Sequence, residues 1–235
     1  MSFTQHLTSC GIFRVGSKTD DTDQVVILSD VLTEHEAFAI QALEQCVRET
    51  FPNDTRFYEA REFGANQTAP SYGMYRADGG NYCTFLNGLI QTYLPGVAAA
   101  TFQAVQFAYE QSQWNTQQHF PPPSSLGVHS AEFLQYKTNG KLSLHIDDDT
   151  VYSISIALSR FDDYQGGYFH LLTPEALFKV PRRSAIVFFG KSLHGVTDIE
   201  QGERKVFVME LWDHADAPIG SARPSQEAMR PPTVD

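Results

Sequence analysis

Four residues in the second half of this chain have the types and the spacing to do chemistry: His145, Asp147, His194 and Arg204. The first two stand in Leu142-Ser143-Leu144-His145-Ile146-Asp147, where large apolar residues alternate with polar ones. A strand has a side-chain period of two. The pattern therefore predicts His145 and Asp147 on one face with Ser143, and Leu142, Leu144 and Ile146 on the other. A histidine and an aspartate two apart on a strand can grip one ion together. His194 arrives 49 residues after His145, in Ser192-Leu193-His194-Gly195-Val196, and Arg204 follows ten positions later. Two neutral imidazoles and one carboxylate make a facial triad, which holds one side of an octahedral Fe(II) and leaves positions open for a co-substrate and dioxygen.

Such a triad needs a β framework, and the surrounding sequence supplies one. Val151 to Ser159 reads as a strand with Tyr152, Ile154, Ile156 and Leu158 on a bulky face. Val151, Ser153, Ser155 and Ala157 form a small, slightly polar face, suited to a ligand-holding interior. Phe133 to Tyr136 opens the catalytic sheet region, and Tyr168 to Leu172, Leu177 to Val180, Ala185 to Phe189 and Lys205 to Trp212 give further short strands. Repeated short strands with turns between them predict a closed or sandwiched antiparallel sheet, a jelly roll of the cupin kind. Asp148 and Asp149 fall in the turn after the His145 strand.

Upstream, Gln24 to Leu28 reads as a strand, and Thr33 and Glu36 have capping-box spacing at the head of a helix from Glu34 to Thr50. His35 is expected on its solvated side. Asn53 to Leu94 is irregular and rich in turns and aromatics, read as short strands and loops that pack on the barrel, with one wall of the substrate entrance as the sharper alternative. Pro95-Gly96 starts a second helix with a buried stripe expected at Ala98, Phe102, Val105 and Tyr109. Gln117 to Ser130, with Pro121-Pro122-Pro123, is expected to be an irregular link in which His119 and His129 are solvated. Beyond Asp213 the chain is Pro-rich, either disordered or an extended strap.

Composition narrows the function classes. The 235 residues suffice for one sizeable domain, and 42% hydrophobic with 19% charged residues is ordinary for a globular protein. No apolar run approaches the ~20 residues of a membrane helix, and Met1 to Gly16 lacks the features of a secretory signal. A net charge of −11 argues against a nucleic-acid-binding surface. Cys10, Cys46 and Cys83 are odd in number and form no CxxC pair, as expected of free thiols in the cytoplasm. Oligomeric state leaves no mark in the sequence.

The ordered set Tyr136, His145-Ile146-Asp147, Gly166-Gly167, Pro181, His194-Gly195-Val196 and Gly202-Glu203-Arg204 resembles the iron- and 2-oxoglutarate-dependent dioxygenases, in particular their prolyl-hydroxylase-like branch. The likeness spans the last third to half of the chain. It implies a mainly β chain with flanking helices (α+β): a double-stranded β-helix (jelly roll, cupin-like) core with N-terminal buttressing helices. It also implies a single dioxygenase domain over 1–235, with 1–130 packing on the barrel, 131–212 as catalytic core and 213–235 as tail.

The resemblance assigns His145, Asp147 and His194 as ligands of Fe(II), and 2-oxoglutarate and dioxygen as co-substrates, with ascorbate as a candidate reductant. The distal carboxylate of 2-oxoglutarate calls for a planar, always-charged bidentate partner, which Arg204 supplies. Alternation places Arg204 with Val206, Val208, Glu210 and Trp212, where an unpaired buried arginine is costly and an acidic ligand fits. Tyr136 matches the family tyrosine that helps hold the co-substrate, and Ser155, with Ser153, is a weaker candidate for lining the pocket. The implied reaction is hydroxylation of a C–H bond coupled to decarboxylation of 2-oxoglutarate to succinate. Halogenation is disfavoured because Asp147 is present. Two substrate classes stay open, a prolyl residue in a peptide or protein and a free amino acid or small metabolite. The rival reading is a non-oxidative cupin-like metal-binding isomerase or binding protein.

Overall fold

The structure, a computed structural model, describes residues 25–50, 72–77 (backbone only), 81–112, 114, 120–172 and 176–213. The readings made for Met1 to Gly16, for 53–71, for His119 and for the Pro-rich tail fall outside the described residues.

The strand β1 (Val25–Leu28) leads into helix α1 (Glu34–Thr50). The helix starts where predicted because the Thr33 hydroxyl accepts the Glu36 backbone N–H while the Glu36 carboxylate accepts the Thr33 N–H. Its inner face carries Ala37, Ile40, Glu44 and Val47, and His35 is exposed. Among the irregular aromatic pieces lies a hairpin, β2 (Tyr72–Ala77) and β3 (Asn81–Leu86). A short helix α2 (Leu89–Tyr93) precedes α3 (Pro95–Gln111), which starts on its proline.

The buried stripe of α3 is Val97, Ala100, Thr101, Ala104, Val105 and Ala108. Of the expected stripe only Val105 is on it; Ala98, Phe102 and Tyr109 lie at its margins. Small residues in the centre let the helix lie close on the sheet, and the large ones fill its flanks. The strand β4 (Gly127–Lys137) begins earlier than expected, since Gly127 to Ser130, read as part of an irregular link, is paired strand.

The remaining strands are β5 (Leu142–His145), β6 (Tyr152–Ala157), β7 (Tyr164–Gly166), β8 (Phe169–Leu171), β9 (Ala176–Phe178), β10 (Ala185–Phe189), β11 (His194–Val196) and β12 (Ile199–Trp212). They form two antiparallel sheets. The major sheet runs β1-β10-β6-β12-β4-β3-β2, with β7 alongside the start of β12, and the minor sheet runs β5-β11-β8-β9. The chain is thus mainly antiparallel β with flanking helices around a jelly-roll core.

The strand β6 shows how the layers are held. Tyr152, Ile154 and Ile156 join Phe207, Met209 and Leu211 of β12 in the core shared with α1 and α3. The other face, Ser153, Ser155 and Ala157, is equally buried but turns toward the minor sheet, where Phe169 and Leu171 pack on Ile186 and Phe188. Small residues on that face leave room between the sheets, and that room becomes the site. Among the described residues no helix is long and apolar enough to cross a membrane, and neither Cys46 nor Cys83 is in a disulfide.

Candidate metal centre and its cavity

The minor sheet brings His145 and His194 together as direct cross-strand partners of β5 and β11. Between this pair and the next, Leu142 with Val196, β5 spends three residues where β11 spends two. The extra residue is a β-bulge, and it puts Leu142 on the same face as His145. Leu142 therefore lines the cavity; of the predicted apolar face Leu144 and Ile146 are each about two-fifths exposed, Ile146 at the cavity's edge and Leu144 away from it. The bulged backbone crosses close over residue 195, where a Cβ would lie 2.6 Å from the Leu142 carbonyl oxygen. Glycine between His194 and Val196 is what lets the two histidine strands meet.

The bulge also aims a carbonyl. His145 Nδ1 lies 2.8 Å from Ser143 O, and His194 Nδ1 lies 2.9 Å from Ser192 O. A carbonyl only accepts, so both Nδ1 atoms carry a proton, and in the neutral ring each Nε2 is left to present a lone pair to an ion. Those Nε2 atoms stand 3.4 and 3.6 Å from Asp147 Oδ1. The other Asp147 oxygen accepts the Ser153 hydroxyl from β6. Burial alone would raise the Asp147 carboxyl, yet the hydrogen bonds from His145 and Ser153 and the nearby His194 hold it below its ordinary range. His194 is lowered by its burial, between the rings of Phe169 and Phe188, and stays neutral. One ligand atom from each of the three residues lies within 4.8 Å of the others. The hydrogen bond to Asp147 raises His145 in the metal-free cluster; with an ion in place of that shared proton, two imidazole nitrogens and an ionised carboxylate oxygen fit one face of a divalent transition metal. Asp148, paired with Lys191 at 3.8 Å, and Asp149, at positive φ, form the exposed turn after Asp147.

From this centre a cavity of about 370 Å³ runs between the sheets. Its floor is β12 with its neighbours. Arg204, Val206, Val208 and Glu210 stand opposite Tyr136, Leu134, Glu132 and Ser130 of β4, and directly opposed residues share a face. Ser155 of β6 stands opposite Val208, on the middle of the floor, away from the Arg204 end.

At one end Arg204 is 7% exposed, and its guanidinium carbon is 5.1 Å from the centre of the Tyr136 ring. Among the described residues its Nη1 has no hydrogen-bond partner. Burial pushes the Tyr136 hydroxyl up to about 12, even with the guanidinium beside it, and raises that of Tyr164 as well. Tyr164 on β7 completes this end. Residue 167 sits at φ +63, where a Cβ would meet Ile199, Tyr164 and Arg204, so Gly167 lets β7 and β8 close against the guanidinium.

The other end is acidic. Burial and the neighbouring Glu210 push the Glu132 carboxyl up to about 8, and its hydrogen-bond donor from Cys83 is a thiol at 3.5 Å. Glu210 accepts from Thr150 at 3.3 Å and lies 3.2 Å from His129 Nδ1. His129 stacks on Trp212 at 4.4 Å and lines the cavity. It is part of β4 and paired with Glu210, apart from the metal-ligand cluster.

The sequence reading did not single out Glu132, Glu210 or Tyr164 for a role. The alternation of Ser130, Glu132, Leu134 and Tyr136 was available to place Glu132 with Tyr136. No local pattern marks Tyr164. The irregular region before α2 does contribute a wall, because Asn81, Cys83 and Phe85 of β3 line the cavity.

No sequence-family model matches the chain, and no curated protein matches it by sequence. Its fold matches solved structures. A 2OG-Fe(II) oxygenase family oxidoreductase from Burkholderia pseudomallei aligns over 85% of this chain and 86% of its own, with a TM-score of 0.54 at 16% identity. A prolyl-4-hydroxylase from Pseudomonas putida aligns over 81% and 92%, with a TM-score of 0.51 at 14% identity. SnoK, a non-heme alpha-ketoglutarate-dependent carbocyclase of nogalamycin biosynthesis, aligns over 82% and 80%, with a TM-score of 0.51 at 13% identity. The fold of this chain is that of the 2OG-Fe(II) oxygenases.

Proposed function

We propose that the chain is an Fe(II)- and 2-oxoglutarate-dependent oxygenase that hydroxylates a C–H bond of a peptide or small-molecule substrate. The observation that carries the reading is the pairing, in one cavity, of the His145–Asp147–His194 cluster with a buried guanidinium that has an unsatisfied donor. A cupin-like protein that merely holds a metal has no use for that arginine, and leaving it unpaired costs stability.

His145, Asp147 and His194 would hold Fe(II), which when bound supplies the oxidative decarboxylation of 2-oxoglutarate to succinate and the dioxygen activation that hydroxylates the substrate. The protein's own part is positional. Arg204 binds the distal carboxylate of 2-oxoglutarate, Tyr136 and Tyr164 orient the guanidinium, and Leu134, Val206 and Val208 keep that stretch dry, which strengthens the ion pair. Ser153 fixes the Asp147 carboxylate. The Pseudomonas putida protein is a prolyl-4-hydroxylase and SnoK a carbocyclase, so the shared fold alone does not select the substrate or the outcome.

The test is an anaerobic titration of the purified protein with Fe(II) and 2-oxoglutarate, followed by the visible charge-transfer band of the chelate. The band is expected in the wild type, absent in His145→Ala, and displaced to much higher 2-oxoglutarate in Arg204→Ala. Metal binding without a band in the wild type overturns the oxygenase reading in favour of the cupin-like one.

A further inference from the structure

We infer that the acidic end of the cavity receives a cationic nitrogen: Glu132 and Glu210 bind an ammonium or guanidinium group of the substrate and thereby present a neighbouring C–H bond to the metal centre. This rests on the oxygenase reading for the role of the centre.

Length argues first that this end belongs to a second ligand. Arg204 and Glu210 are six residues apart on one face of a single strand, roughly 20 Å at the usual rise. A five-carbon dicarboxylate on Arg204 does not reach Glu210. The unpartnered Nη1 of Arg204, nine-tenths buried and open to this same cavity, claims the dicarboxylate for its own end.

Charge then identifies the second ligand. A divalent ion, the Asp147 carboxylate, a dicarboxylate and the Arg204 guanidinium sum to neutrality, so the metal and co-substrate leave nothing over for Glu132 and Glu210. His129 partners Glu210. Glu132 has only the weak Cys83 thiol donor and its neighbour Ser130. Among the described residues lining the cavity, Arg204 is the only lysine or arginine, and it is at the far end. Against its own burial, His129 is held above its ordinary range by Glu210 and Glu132 and offsets one of these two part-buried carboxyls; a cation brought in by the ligand matches the other. Burial and Glu210 push the Glu132 carboxyl up to about 8, so a cation bound there takes the place of the proton this carboxyl otherwise keeps. A neutral prolyl ring offers nothing to either glutamate.

The cation can come from a free basic amino acid or from a basic residue within a peptide. Calorimetric titrations of the anaerobic protein with Fe(II) and 2-oxoglutarate separate these sources. L-arginine and L-lysine form one arm, and capped Gly-Arg-Gly and Gly-Lys-Gly peptides the other. L-citrulline, L-norleucine and capped Gly-Pro-Gly are the neutral controls. At least one cationic probe is expected to bind about tenfold or more tighter than its neutral counterpart, and Glu132→Gln and Glu210→Gln each to lose about tenfold of that affinity. The chelate band, read in the same samples, shows that the variants are folded and loaded. If the band forms but no cationic probe binds, or the neutral probes bind as well, or both glutamine variants bind like wild type, this inference is wrong. If the band itself is missing, the oxygenase reading fails, and the calorimetry still decides whether the glutamates bind a cation.

Discussion

His145 and His194 face the same oxygen of Asp147 through the same ring nitrogen, because each donates its Nδ1–H to the carbonyl of the residue two before it. Tautomer and ring orientation are thereby set before any ion arrives. The remaining freedom in the cluster is the carboxylate, and Ser153 removes it.

Ser153→Ala should therefore weaken Fe(II) binding by about 10- to 100-fold, the usual consequence of losing the partner of a metal ligand, while the fold persists. Anaerobic Fe(II) titration alongside a thermal melt reads both quantities. Unchanged affinity in a folded variant would show that Asp147 is oriented by something else.

Arg204→Met should abolish the rise in melting temperature that 2-oxoglutarate gives the wild type. The apo variant should melt at or above the wild-type temperature, since removing a buried, incompletely satisfied guanidinium relieves a desolvation cost. A variant that melts well below wild type without ligand would mean that the tyrosines already satisfy Arg204.

Glu132 makes stability depend on pH in an unusual direction. In the unfolded chain this carboxyl ionises near 4.5, whereas in the folded protein it keeps its proton to about 8. Between those values the folded state binds more protons than the unfolded state. The stability this group contributes is thus full below about pH 4.5 and is lost as pH rises toward 8. Glu132→Gln should raise the melting temperature of the metal-free protein at pH 8, with the gain shrinking toward pH 5. Parallel curves for the two proteins would contradict the assignment.

Gly195→Ala should cost about 1–3 kcal/mol, the typical range for forced overpacking, because its Cβ would fall 2.6 Å from Leu142 O. The strained bulge should also carry Ser143 O away from His145 and weaken Fe(II) binding. Denaturant unfolding and metal titration together check this, and an unstrained variant of full metal affinity would count against the close crossing.

Local signals served well where they were sufficient. The capping box at Thr33 and Glu36 located the start of α1, alternation from Tyr152 to Ala157 separated the core face from the site face, and the apolar run Ala185 to Phe189 is β10. The His145, Asp147, His194 and Arg204 set stood out through the alternation around His145 and the ordered motifs that follow it, and the structure brings the first three within 4.8 Å of one another. What failed depends on partners distant in sequence. Gly127 to Ser130 becomes strand by pairing with Glu210, Leu211 and Trp212. Leu142 changes face through a bulge dictated by β11. Glu132 gains its meaning only from Glu210 and Cys83, which come from other strands.

The layout of β12 has a consequence for how such a protein changes over evolutionary time. Arg204 and Glu210 share a strand and a face but are separated by Val206 and Val208, and each has its own neighbours on β4. Substitutions at Glu210 and Glu132 can redirect what enters the cavity while the Arg204 end stays intact. Selection can thus explore new specificities at one end of a single strand without first rebuilding the other.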